Sequence, residues 1–122
     1  MASRKEHRKH KRFQVPKEVF AGVGPYFNKV GRLRDISTGG LAFRHVGTAD
    51  MPDKSYVDIF MTESDFYLSR LPIKIISDVE ILDETPTVST TTRRCCAKFR
   101  KLTAYQSGRL KYFIENHTTG DA

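Results

Sequence analysis

The chain has 122 residues, 39% of them apolar, which is the size and composition of one domain around one compact core. No stretch approaches the roughly 18 to 20 apolar residues of a membrane span, and the charged start is not followed by the apolar segment of a signal peptide, so a cytoplasmic protein is expected. The formal charge of +7 is concentrated at the start, where Arg4, Lys5, Arg8, Lys9, Lys11 and Arg12 face only Glu6; a nearly neutral body behind a cationic arm points to an anionic partner.

The first element is therefore a flexible basic arm over residues 1–12, whose like charges repel one another. Short segments rich in Val, Ile, Phe and Tyr follow, punctuated by Gly, Pro, Asp and Asn, and they predict strands over 13–23, 30–36, 40–46, 56–62, 73–82 and 94–101. Six strands with short connections make an antiparallel barrel or sandwich, because parallel strands need crossover segments that are absent. Residues 83–92, with Pro86 and a run of threonines, read as a long hairpin connection. Cys95 and Cys96 are neighbours in a strand and point to opposite faces, one packed and one exposed; they are the only two cysteines and fit a reducing compartment. Thr103-Ala104-Tyr105-Gln106 has the form of a capping box, and Leu110, Phe113 and Ile114 then share one face of a C-terminal helix that lies across the barrel. The domain is expected to span 13–116, and residues 117–122, with nothing to bury, are expected to fray as a disordered tail.

Two constellations carry chemistry. Arg8 and Arg12 are four residues apart, so an extended arm puts both guanidinium groups on one side, about 13 Å apart at ~3.3 Å per residue, a spacing that grips a small dianion from two ends. Arginine suits the task because its planar fork bonds phosphate oxygens or the O6/N7 edge of guanine bidentately and stacks on purines. The second is Asp35-Ile36-Ser37-Thr38-Gly39-Gly40 at a strand end. Asp35 and Ser37 point the same way there, while Ile36 points to the core. A carboxylate accepts from the N1 and N2 donors of guanine, and Gly39 and Gly40 allow positive φ and close approach of a ligand to the backbone. A hairpin turn, with Asp35 and Ser37 bonded to local amides, accounts for the same residues.

Arg8-x-x-x-Arg12 followed by Asp35-x-Ser37-x-x-Gly40 resembles the signature of PilZ domains, bacterial receptors for the second messenger cyclic di-GMP. The resemblance runs over about residues 6–116, and Ala97-Lys98-Phe99-Arg100-Lys101-Leu102 is similar to the family's last strand before its C-terminal helix. It implies a mostly β fold, a six-stranded antiparallel β-barrel with a C-terminal α-helix. It also implies a cyclic di-GMP site in which Arg8 and Arg12 hold phosphate and guanine, Asp35 and Ser37 read guanine, and the backbone at Gly39 and Gly40 lies alongside, with Lys9, Lys11 and Arg34 as auxiliary cations. His7 occupies the position that in the family influences whether one ligand or a stacked pair binds. Cys96 or Ala97 stands where many relatives have glycine, which narrows the pocket floor.

No nucleophile motif, phosphate loop or cluster of metal-binding acids is present in the sequence, so binding without catalysis, with no cofactor and no metal, is expected. The rival readings are a single-stranded nucleic-acid-binding barrel, disfavoured because Asp35 would repel a phosphate backbone, and a PilZ-like protein-interaction module without nucleotide binding. His7 and His10 among so many cations are poor metal ligands, and His45 and His117 are expected on the surface. The expected output is ordering of the arm by the ligand, read by a downstream protein in motility, polysaccharide or biofilm control.

Overall fold

A computed structural model of the chain describes residues 10–24, 29–47, 51–81 and 91–122. In chain order the elements are β1 (Phe13–Gln14), β2 (Val19–Val23), β3 (Lys29–Ile36), β4 (Gly40–Val46), β5 (Lys54–Met61), β6 (Tyr67–Glu80), β7 (Thr92–Phe99), α1 (Ala104–His117) and β8 (Gly120–Asp121). The six longer strands pair antiparallel in the order β2-β5-β6-β7-β4-β3, and pairing of β2 with β3 closes the ring. The expected six-stranded antiparallel barrel with a C-terminal helix is thus what the chain forms. Its interior is filled by the inward-alternating residues of all six strands, including Val19, Leu33, Ile36, Leu41, Phe43, Ile59, Leu71 and Ile73.

Three local features differ from the sequence expectation, each for a backbone reason. The strand expected over 13–23 is two strands, because Pro16 has no N–H to give a ladder and its carbonyl instead accepts from Val19 in a turn. Both halves still pair with β3, β2 along its N-terminal half and β1 at Asp35 and Ile36. Strand β6 begins at Tyr67 rather than at residue 73. Arg70, at φ 55°, breaks the alternation there, and the Asp58 carboxylate of a bulge on β5 accepts from the Arg70 amide at 2.8 Å. The C-terminal residues do not fray: β8 pairs with β1, Thr119 donates to the Gln14 carbonyl at 2.9 Å, Ala122 donates to the Arg12 carbonyl at 3.1 Å, and Asp121 meets Lys11 at 3.2 Å. Backbone pairing of this kind needs no apolar side chain, which is why hydropathy did not reveal it.

Two histidines expected on the surface are instead packed. His45 is 2% exposed, its Nε2 is 3.0 Å from the Asp78 carboxylate, and Arg93 also donates to that carboxylate, tying β4, β6 and β7 together. His117 is half-buried against the rings of Phe66, Phe113 and Tyr112.

The helix starts where the capping box predicts. The Thr103 hydroxyl accepts from the Gln106 amide and the Gln106 side chain accepts from the Thr103 amide, both at 3.0 Å. Leu110 and Phe113 are fully buried, Ile114 is half-buried, and Arg109 and Gln106 donate to the Tyr67 and Arg70 carbonyls of β6, so the helix covers the barrel end beside β6. Thr103→Ala removes the hydroxyl that accepts from the Gln106 amide and is expected to lower unfolding free energy by about 1 kcal/mol. Phe113→Ala leaves a cavity under the helix and costs about 3 to 5 kcal/mol; urea denaturation of both variants checks the order of the two losses.

Candidate ligand-binding site

The site is built around the end of the β3–β4 hairpin. The Ser37 amide donates to the Gly40 carbonyl at 2.8 Å, closing a tight turn, and the Ser37 hydroxyl accepts from the amides of Gly39 and Gly40 at 3.0 and 3.1 Å. Ser37 is 2% exposed and its oxygen is engaged with its own turn, which is the hairpin reading of that residue. The two glycines are not there for positive φ, which neither adopts. A Cβ on Gly40 would stand 2.3 Å from the Ala97 carbonyl oxygen of β7, and one on Gly39 would stand 2.2 Å from the His10 ring. Close approach is therefore the requirement, of a strand at Gly40 and of the arm at Gly39.

Asp35 faces the other way from the core residue Ile36 and is engaged with residues far along the chain. Its carboxylate accepts from Arg12 Nη1 at 2.6 Å and from Arg94 Nη2 at 3.3 Å. The β1–β3 pairing sets Gln14 opposite Asp35, and this register carries Arg12 alongside the carboxylate. The Arg12 and Asp35 side chains are 22% and 12% exposed, so the pair is largely shielded from solvent. His10 Nδ1 lies 3.0 Å from the Thr38 hydroxyl, a second tie between the arm and the turn. Of the residues singled out from sequence, Arg12, Asp35, Ser37, Gly39 and Gly40 come together here, while His7, Arg8 and Lys9 lie outside the described residues. Lys11 turns toward Asp121 and the Phe13 ring.

A cleft of about 550 Å³ opens beside this pair. Its lining includes Arg12, Ser37, Thr38, Gly39, Cys96 and Lys98. Cys96 is the outward residue, opposite Ala42 on β4 and Ser77 on β6; both it and the core residue Ala97 line the cleft. Ile76 sits at a bulge of β6, 58% exposed, at the cleft's edge. On the other side of Asp35, a bulge of β3 turns Arg34 outward among Arg32, Arg44 and Arg94. Burial and then repulsion from Arg44, Arg32 and Arg94 push the Arg34 pKa down, with Asp35 acting in the opposite direction.

Sequence reasoning missed Arg94, the second cation on Asp35. It is separated from Asp35 by 59 positions in a segment without motif, and only the β3-β4-β7 order brings the two together. Among the described residues no group of three or more His, Cys, Asp or Glu is placed to hold a metal ion, and no helix is long and apolar enough to cross a membrane.

Neither family models nor curated proteins match the sequence. Solved structures do match the fold. The PilZ domain of YcgR from Escherichia coli, with c-di-GMP, aligns at a TM-score of 0.69 and 19% identity over 92% of each chain. The complex of K. pneumonia MrkH with c-di-GMP aligns at 0.65 and 15% identity, over 91% of this chain and 52% of that one. Borreliella burgdorferi PlzA in complex with c-di-GMP aligns at 0.51 and 10% identity, over 93% and 52% respectively. The chain thus has the PilZ-domain fold and spans about half the length of MrkH and PlzA.

The two thiols differ in a way that reports on the cleft. Cys95 is buried in the core and its pKa is pushed up to about 12, first by burial and then by the charges of Asp78 and Cys96. An aromatic disulfide reagent at near-neutral pH is expected to titrate Cys96 alone in the native protein and both thiols in denaturant; Cys96→Ser should abolish the native reaction, and rapid native reaction of Cys95 would contradict this placement.

Proposed function

We propose that the chain is a receptor for cyclic di-GMP that binds the dinucleotide without cleaving it. The observation that carries this reading is the 2.6 Å contact between Arg12 and Asp35, which brings the second arginine of the arm motif, itself a lining residue of the cleft, to the carboxylate of the turn motif. The PilZ-domain fold supports it, as does the c-di-GMP held by the YcgR and MrkH structures that share this fold.

Cyclic di-GMP is a dianion carrying two guanines, and it needs cations for phosphate, donors for the O6/N7 edge and an acceptor for N1 and N2. Arg8 and Arg12 supply the first two and Asp35 the third. Binding then exchanges partners: a guanine takes the Asp35 oxygen that Arg12 occupies, and the released guanidinium turns to phosphate or to the guanine edge. Every charge that loses a partner gains another, so the exchange leaves no buried ion unpaired. Ser37 acts by fixing the turn, which aims the Gly39 and Gly40 backbone at the ligand. Lys9, Lys11 and Arg34 add to the field that draws in the dianion, and the residue at His7 sets whether one ligand or a stacked pair is held. The arm changes conformation as Arg8 and Arg12 engage, and a downstream protein reads the new surface.

Titration calorimetry tests the roles separately. Arg12→Ala is expected to weaken cyclic di-GMP binding by roughly five- to a hundredfold, as for loss of one bidentate contact. Asp35→Ala is expected to lower the preference for cyclic di-GMP over cyclic di-AMP more than it lowers thermal stability. Unchanged titrations for Arg12→Ala and for Arg8→Ala would remove the clamp, and equal losses for the two ligands in Asp35→Ala would take guanine reading away from that residue.

A further inference from the structure

The outer wall of the barrel carries a second array, of which the cyclic di-GMP reading uses only Arg34, as an auxiliary cation. Directly opposed residues on neighbouring strands point to the same face. By that rule Arg32 on β3 stands beside Phe20 on β2, Phe20 beside Phe60 on β5, and Phe60 beside Tyr67 on β6. The three rings form a ladder, with centroids 6.0 Å apart at each step and planes within 18° of parallel. Tyr67 is 45% exposed at its outer end.

The same face continues in the other direction as arginine. Arg44 on β4 opposes Arg94 on β7, and a groove of about 260 Å³ joins the two halves, with Phe20, Arg32, Arg34 and Arg44 in its lining. The ion pairs among the described residues engage Lys11, Arg12, His45, Arg93 and Arg94, and none engages Arg32, Arg34 or Arg44. Three uncompensated guanidinium groups around one groove call for a polyanion. Asp58, the carboxylate near the aromatic end, is occupied by the Tyr67 hydroxyl and the Arg70 amide.

We propose that this ribbon binds single-stranded nucleic acid, with phosphates on Arg32, Arg34 and Arg44 and unpaired bases stacked along Phe20, Phe60 and Tyr67. Three observations favour it over other polyanions. A row of parallel rings matches a ligand that offers a flat π-face at every unit, which an acidic polypeptide does not. A duplex keeps its base faces stacked and has nothing to lay on the ladder. Asp35, whose charge weighed against nucleic acid in the sequence, is compensated on the spot by Arg12 and Arg94.

The test is fluorescence anisotropy of the full chain with a labelled oligothymidylate of about 12 nucleotides at low salt, with polyglutamate as competitor. Binding is expected, with a log–log salt slope that becomes shallower by about 0.7 for each phosphate contact removed in Arg32→Ala and Arg44→Ala. Phe60→Leu, and Tyr67→Leu measured against Tyr67→Phe, which loses the Asp58 contact alike but keeps the ring, are each expected to weaken binding by roughly five- to a hundredfold while leaving the cyclic di-GMP titration unchanged. No binding at low salt overturns the proposal, as does insensitivity to either the arginine or the ring variants. Equal displacement by polyglutamate with intact ring variants assigns the face to an acidic protein instead. Loss of cyclic di-GMP binding alone strikes the receptor reading and leaves this surface standing, so the two failures are distinguishable.

Discussion

A single carboxylate shared by two arginines organises the β3–β4 end of this barrel. Asp35 sits at the end of β3, 9% exposed, with Arg12 arriving from the N-terminal segment and Arg94 from β7. Burying a charge is costly unless it is paired and hydrogen-bonded, and here pairing and chain path determine each other. The β1–β3 ladder places Arg12 beside Asp35, and the Arg12–Asp35 contact in turn holds this short ladder, only two residues long, against the barrel. The carboxylate keeps one fixed cation in Arg94, so the contribution of Arg12 can be withdrawn without leaving the charge bare.

The backbone around that carboxylate is as constrained as its charge. Ser37 ties the amides of Gly39 and Gly40 into the turn, and β7 approaches Gly40 so closely that only a hydrogen fits in place of a side chain. The Phe99 amide donates to the Gly39 carbonyl at 2.9 Å, which locks the turn to the end of β7 as well. The turn, held by backbone contacts, faces an arm segment tied to it by the side chains of Arg12 and His10.

Much of this was legible in the residues. The barrel class followed from short β-branched and aromatic runs with short connections, the helix from Thr103 and Gln106, and the gathering of Arg12 with Asp35 from motif order. What was not legible was set by backbone pairing or by long-range proximity. Pro16 divided a strand, Arg70 at positive φ concealed the first half of β6, and β8 forms by amide pairing with no hydropathy signal. His45 was read as a surface residue because nothing local marks Asp78 and Arg93 as its partners. Arg94 lacked any motif, and the Phe20–Phe60–Tyr67 ladder exists only once three strands are in register. Of the two reasons the sequence offered for the glycines of the turn, positive φ is not used, and the close approach is that of β7 at Gly40 and of His10 at Gly39.

Closure of the ring through β2 and β3 has one more consequence. Among the described residues, the ring is closed except where β6 runs past the start of β5: Ser77, Asp78, Val79 and Glu80 pair with β7 alone, and Ile76 and Val79 stand exposed on that stretch. Templated addition of a foreign strand, the route by which exposed sheet margins recruit peptides or seed fibrils, has this one short margin to start from. Over the rest of the curved exterior only side chains are on offer, and the barrel's contribution is to hold them in register.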